Sequence, residues 1–213
     1  MSDDWPLLTP PPGGRGPMSD LLAERLLAQR VVLLHGPLED LTVARVSAEL
    51  MTLDAEGDDP VTLRVDCGDA ELAPALTLMD VIELMGVPVR ALCLGQVGAG
   101  AVGVVAVCAA RAAMPSTRFV LREPSAGQAT MHVRNVAQWA ELRAEERARF
   151  CERVAVAAKQ QAEQVRQDLE RGLFLSAAEA AGYGLIDEVC RPDAAIHPLP
   201  GSGPPPMGFR PVR

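Results

Sequence analysis

The feature that most constrains this chain is a regular alternation of short β-branched runs with helical patterns, set between two proline-rich ends. Val31-Val32-Leu33-Leu34 reads as a buried strand closed by Gly36-Pro37. Val43, Val46, Leu50 and Leu53 then recur at helical spacing over 39–55. A second strand spans Val61 to Val65. Leu72, Leu76, Met79, Ile82 and Met85 stripe a second helix that stops before Gly86. Val89 to Leu94 is a third strand, and Gly95 begins a glycine-rich turn. An Ala/Val helix over about 101–110 and a short strand over 118–121 follow. One long helix is expected from about Met131 to Arg171, with Phe150, Val154, Val165 and Leu169 on its apolar face. Glu145 and Arg149 form an i,i+4 pair on its solvated flank. Ser176-Ala177-Ala178-Glu179 is a capping box that opens a short helix, Gly182-Tyr183-Gly184 ends it, and Ile186 to Cys190 reads as a last strand. Strands alternating with helices predict an α/β fold with a mostly parallel sheet.

The ends set the boundaries of this pattern. Twelve of the 18 prolines fall in residues 1–17 and 192–213. Residues 1–19 and 192–213 are therefore expected to be disordered Pro/Gly-rich tails, leaving one α/β domain over 20–191. The 213 residues carry a net charge of −8, which argues against nucleic acid or an anionic membrane surface as the main partner. No apolar run reaches the length of about 18 residues that a membrane span needs. The N-terminus has neither a basic start nor an apolar region of the secretory kind. Cys67, Cys93, Cys108, Cys151 and Cys190 are scattered, odd in number and free of a CxxC spacing, so a reduced, cytoplasmic protein is expected. No metal and no cofactor are expected.

Three patterns could carry chemistry. Gly98-Ala99-Gly100-Ala101-Val102-Gly103 is a literal GxGxxG between a strand and a helix, with Glu123 twenty residues beyond it. Read at face value, it would hold a nucleotide or an acyl-CoA. A turn of small residues that packs a helix closely on a sheet accounts for the same glycines. His35, His132 and His197 follow no metal spacing. Ser125 lies seven residues from His132, and a Ser–His pair needs hydrogen-bond reach and an orienting group. A surface loop serine is the simpler reading, and Cys67, Cys93 and Cys108 read as core packing.

Several stretches in fixed order are more specific. They are RVVLLHGP at 30–37, CLGQ at 93–96, MPSTR at 114–118, GQAT at 127–130, and FLSAAEA at 174–180 leading to YGLID at 183–187. Over about Leu21 to Val189 the chain resembles the ClpP family, the proteolytic subunits of Clp proteases. From Leu63 to Gln96 that pattern runs without a gap. The resemblance implies the ClpP/crotonase-type fold with a long handle-like helix, and a ring-forming subunit with near seven copies.

The same resemblance implies that the chemistry is gone. The family's nucleophilic serine falls on Ala99, its histidine on Arg122 and its aspartate on Gly172. The glycine pair that helps form the oxyanion hole falls on Asp69-Ala70. Alanine has no hydroxyl, and an arginine cannot act as a base at neutral pH. An acid at the oxyanion hole opposes developing negative charge. The stretch between Pro124 and Gly127 is about three residues shorter than the family's glycine-rich segment. The resemblance thus implies a non-catalytic, structural or regulatory subunit. Its partners would be copies of itself, an active ClpP paralogue and a Clp ATPase unfoldase. Two rival readings are a peptidase with a relocated nucleophile such as Ser125, and a nucleotide- or acyl-CoA-binding protein.

Overall fold

The structure is a computed structural model and describes residues 23–125 and 136–190. The proposed tails lie outside those residues, as do His132, His197 and the 127–130 stretch. Seven strands form one sheet: β1 (Val31–His35), β2 (Val61–Cys67), β3 (Val89–Gly98), β4 (Ala110–Ala113), β5 (Arg118–Leu121), β6 (Leu173–Ser176) and β7 (Glu188–Val189). The order is β1-β2-β3-β4-β7, with β5 paired to β3 and β6 paired to β5. All pairings are parallel except β5–β6. The helices are α1 (Asp40–Glu56), α2 (Leu72–Leu84), α3 (Gly100–Ala106), α4 (Val136–Ala158), α5 (Ala162–Arg171) and α6 (Ala177–Tyr183). The α/β fold with a mostly parallel sheet expected from the alternation is the fold observed.

The apolar stripes find their places against the sheet. Val43, Val46, Leu50 and Leu53 of α1 and Leu72, Leu78, Met79 and Ile82 of α2 are buried in one core with the inward residues of β1–β3. α3 is buried along its whole length. It can lie that deep because Gly103 has no side chain. A β-carbon there would stand 2.3 Å from Phe150 Cε2 and 2.8 Å from Met79 Sδ. The glycine lets α4 dock directly on α3, and Phe150 becomes fully buried. Burial of a phenylalanine contributes about 1.5–3 kcal/mol.

β3 is a forked strand. Arg90–Cys93 pair with β4, and Gln96–Gly98 pair with β5. Between these stretches the register with β2 shifts, so that Val65 faces Cys93 but Cys67 faces Val97. Asp66 fixes this bulge by accepting the Gln96 amide at 3.0 Å. Gly95 sits at φ +50, and a β-carbon there would lie 2.4 Å from Asp66 Oδ1. The bulge carries the end of β3 away from β4 and toward β5.

The elements differ from the sequence expectation in four places. The single long helix is two, α4 and α5, broken at Lys159 with φ +54. The Gln160 amide returns to the Ala155 carbonyl at 3.0 Å, and Gly184 packs on Ala158, where a β-carbon would be 2.5 Å from the carbonyl oxygen. Ala158-Lys159-Gln160-Gln161 are good helix formers, so a tertiary contact overrides propensity here. The Ala/Val helix stops at Ala106, and 110–113 is β4. This strand is held from outside: Arg111 donates to Asp187, to the Ala157 carbonyl and to the Gly184 carbonyl. Leu173–Ser176 forms β6, and the last strand is only Glu188–Val189. The capping box at Ser176 is present with both of its reciprocal bonds, and Arg149 bonds Glu145.

Candidate functional site

The site begins where β3 turns into α3. Ala99 stands at the turn with φ 49 and ψ −129, a backbone state that costs a non-glycine residue about 1–3 kcal/mol. Its flanking glycines are required by close approach. A β-carbon on Gly98 would lie 2.5 Å from the Gly68 carbonyl oxygen, and one on Gly100 would lie 2.6 Å from Ala75 Cβ. The Ala99 amide donates to the Val120 carbonyl at 3.1 Å. A strained strand-to-helix turn between small residues is the backbone that presents a nucleophile in α/β-hydrolases. Here it presents a methyl group, and that methyl is fully buried.

The sheet register places the other singled-out positions around this turn. Gly98 faces Val120 on β5, and Leu121 faces Leu173 on β6. One residue beyond that last pair, Arg122 leaves β5 and Gly172 enters β6. Gly172 caps the C-terminus of α5 with φ 72 and ψ 63, and its amide donates to the Asp168 carbonyl at 3.1 Å. On the other side of the turn, Gly68-Asp69-Ala70 follows β2. It is held by the Leu38 amide on the Asp69 carbonyl and by the Glu71 amide on the Leu38 carbonyl.

Arg122 closes the gap between these two sides. Its Nη2 lies 2.9 Å from Asp69 Oδ1 and donates to the Gly68 carbonyl at 3.1 Å. Both side chains are substantially exposed, so the pair sits at the surface of the site. The next residue, Glu123, pairs with Arg147 of α4 at 2.7 Å. Arg122 and Glu123 together join the segment after β2 to the long helix. The sequence reading treated Asp69 only as an obstacle to an oxyanion. It missed that Asp69 and Arg122 satisfy one another. The available signal was the presence of opposite charges at two positions of the same site.

No Ser–His or Cys–His pair forms among the described residues; the one hydroxyl–carboxylate pair at a serine, Ser176 Oγ to Glu179 at 2.7 Å, belongs to the capping box of α6. Ser125 is held through its backbone: its carbonyl accepts the Leu72 amide at 2.9 Å, and it bridges to Glu71. Its partner in the relocated-nucleophile reading, His132, lies outside the described residues. His35 pairs with Asp66 at 3.3 Å beside the bulge. Cys67 is the thiol nearest in sequence to the site and donates to the Asp69 carbonyl at 3.0 Å. Burial pushes its pKa up to about 11 and those of Cys93 and Cys108 up to about 12. All three are therefore protonated at neutral pH and are poor nucleophiles.

The GxGxxG is packing. Gly98, Gly100 and Gly103 each lie against a neighbour that a β-carbon would strike, and the whole of α3 is buried. Glu123, placed by that reading at a ribose, is bound to Arg147. Among the described residues no group of three His, Cys, Asp or Glu side chains could hold a metal. None of their helices is long and apolar enough to cross a membrane.

Comparison with known proteins agrees with the fold. The family model described as Clp protease matches residues 14–193. The chain is 30% identical over 182 residues to the ATP-dependent Clp protease proteolytic subunit 2 of Thermobifida fusca (strain YX), covering 81% of this chain and 86% of that protein.

Proposed function

The chain belongs to the Clp protease family, and from that premise we propose that it acts as a non-catalytic subunit with a structural or regulatory role in a Clp-type assembly. The observation that carries this reading is the Arg122–Asp69 ion pair beside the buried Ala99 methyl. In the proposed correspondence, Arg122 replaces the general base and Asp69 replaces an oxyanion-hole glycine. Arginine keeps its proton at any physiological pH. A carboxylate near the oxyanion position raises the barrier that the hole exists to lower. Each charge alone would be a defect, and together they are neutral and hydrogen-bonded. Gly172, at the proposed aspartate position, supplies no carboxylate.

The proposed partners are other subunits of the same kind: copies of this chain and an active ClpP paralogue, in a ring near seven subunits. A Clp ATPase unfoldase is the proposed outer partner. The relative's name, ATP-dependent Clp protease proteolytic subunit 2, is consistent with an assembly of more than one subunit type. The reading is tested with purified protein, a fluorogenic peptide and a fluorophosphonate probe. The expected result is no turnover above buffer and no labelled serine. Turnover that survives further purification and is blocked by a serine-directed inhibitor overturns the reading.

A further inference from the structure

The turn at Ala99 lies behind a short extended segment, Gly68 to Leu72. The glycines of the turn pack directly on it: a β-carbon at Gly98 would lie 2.5 Å from the Gly68 carbonyl oxygen, and one at Gly100 would lie 3.1 Å from Ala70 Cβ. Successive residues of an extended segment point their amides and carbonyls to opposite edges, and a free edge is a template for another strand. One edge of 68–72 is taken by Leu38. The Leu38 amide donates to the Asp69 carbonyl at 3.0 Å, and the Glu71 amide donates to the Leu38 carbonyl at 3.1 Å. The even-numbered residues face the other way, toward 122–125. There the Gly68 carbonyl accepts Arg122 Nη2 at 3.1 Å, and the Leu72 amide donates to the Ser125 carbonyl at 2.9 Å. Glu71 and Ser125 form a parallel bridge. Both edges of the segment are therefore occupied from within the chain.

Residues 122–125 are held across this second edge one by one. Arg122 pairs with Asp69 at 2.9 Å, Glu123 pairs with Arg147 of α4 at 2.7 Å, and Ser125 is bonded to Leu72. Between them Pro124 has a fixed φ and no amide to offer elsewhere. The preceding residue, Leu121, is fully buried and anchors the segment in the core. Arg122, Glu123 and Ser125 are exposed and Pro124 is half-buried, so these four residues lie over the edge at the surface rather than inside the fold. Strands joined by backbone bonds stand about 4.8 Å apart, so admitting a third strand between 68–72 and 122–125 requires them to part by about 5 Å more. The bonds of Arg122, Glu123 and Ser125 all oppose that parting.

We propose that residues 122–125 are an autoinhibitory strap: they occupy the edge of 68–72 on which an extended peptide would add itself as a strand beside Ala99. The class of ligand excluded is set by the edge itself, whose backbone carbonyl at Gly68 and amide at Leu72 recognise any extended backbone and no particular side chain. The inference rests on the non-catalytic reading of the site and adds what fills it. A wild-type protein that holds a peptide on this edge intact overturns the inference alone, and one that cleaves the peptide overturns the non-catalytic reading as well.

Two measurements on the full chain test it. The first is amide exchange at Leu72. Leu72 opens α2, and the first amides of a helix have no partner within it, so its protection comes from the Ser125 carbonyl and reports the strap directly. Arg122→Ala removes the other arm of the strap. It is expected to speed exchange at Leu72 about 2- to 10-fold, whereas an isolated surface ion pair would leave that amide unmoved. The second is anisotropy of a fluorescein-labelled hexapeptide of alternating valine and threonine. The slack variant combines Arg122→Ala with three glycines inserted between Pro124 and Ser125, which add about 10 Å of reach, more than the parting requires. It is expected to bind the peptide at least about tenfold more tightly than the wild type, the worth of one or two backbone bonds. The same peptide with proline at alternate positions lacks the amides to pair and is expected to bind neither protein. Unchanged exchange at Leu72 in Arg122→Ala, a wild type that binds as tightly as the slack variant, or a folded slack variant that binds no tighter or takes the proline peptide equally well overturns the proposal. Should the slack variant unfold, the exchange measurement on Arg122→Ala decides by itself.

Discussion

Building a triad into the proposed correspondence is the sharpest test of the non-catalytic reading. The triple variant is Ala99→Ser, Arg122→His and Gly172→Asp. Its effect on stability follows from the geometry. A serine at 99 inherits the same strained backbone, so the turn itself costs nothing extra, but it adds a hydroxyl at a fully buried position. A buried hydroxyl without a partner costs about 1–3 kcal/mol. Gly172 has φ +72 and open space where a β-carbon would stand, so aspartate fits at the ordinary left-handed penalty of about 1–2 kcal/mol. Loss of the exposed Arg122–Asp69 pair costs about 0.2–1 kcal/mol. The total, on the order of 2–6 kcal/mol, corresponds to a melting temperature lower by about 5–20 °C, measurable by circular dichroism. The fold is expected to survive and the activity to remain very low. With the guanidinium gone, Asp69 is left as an acid beside the introduced imidazole, which then has two carboxylates to choose between. A catalytic group displaced by about 1 Å loses about 100-fold, and one oxyanion donor is worth about 100- to 1,000-fold. The triple variant is thus expected some 10,000- to 100,000-fold below a competent site by fluorogenic peptide assay. Adding Asp69→Gly and Ala70→Gly is expected to recover part of that. Robust cleavage by the triple variant alone would refute the claim that the oxyanion side is remodelled.

Four further outcomes are expected. A double-mutant cycle of Arg122→Ala and Asp69→Ala, read by denaturant unfolding, should give a coupling of about 0.2–1 kcal/mol that shrinks with added salt. Gly103→Ala should destabilise by about 1–3 kcal/mol through overpacking, because the new methyl meets Phe150 and Met79 in a dense interior. Tyr183→Phe should cost about 1–3 kcal/mol, since the Tyr183 hydroxyl donates at 2.8 Å to the buried Asp168 carboxylate, and among the described side chains Gln164 alone would then serve it. Alkaline pH should weaken the fold: the thiols of Cys67 and Cys93 are raised from 9.0 to about 11 and about 12, so the native state holds these protons more tightly than the unfolded chain. That stability is fully present below about pH 9 and is lost as pH rises toward 11–12, which the urea midpoint measured across this range will show.

Most of the fold was legible because its strands are β-branched runs and its helices carry clear stripes. Val31–Leu34, Val61–Val65 and the stripes of α1 and α2 announce themselves. Strand β4 does not, because Ala110-Arg111-Ala112-Ala113 has the composition of a helix and is drawn into the sheet by Arg111 and its three anchors. The break at Lys159 was hidden for the converse reason: its cause, Gly184 against the Ala158 carbonyl, is 25 residues away in sequence. At the site, the sequence singles out Ala99, Arg122, Gly172 and Asp69 one by one. Their mutual geometry was not legible, since the Arg122–Asp69 contact depends on β5 lying beside the end of β3.

The fork in β3 divides the protein into parts that need not open together. Among the described residues β5 pairs with the sheet through three residues of β3, Gln96–Gly98, and β6 pairs with β5 alone. β1, β2 and the first half of β3 share a longer ladder over the main core. Local unfolding follows such boundaries, with cooperative units released at free energies below that of the whole domain. β5 and β6 hang on the shorter ladder, so their backbone bonds are the first of the sheet to open, and Arg122 and Gly172 lie at the end of that ladder, while Phe119 and Leu121 anchor β5 in the common core. Ala99 and Asp69 stay with the central sheet. Amide exchange in β5 and β6 should then be faster than in β2, and the exposed contact between Arg122 and Asp69 spans the boundary between the two ladders.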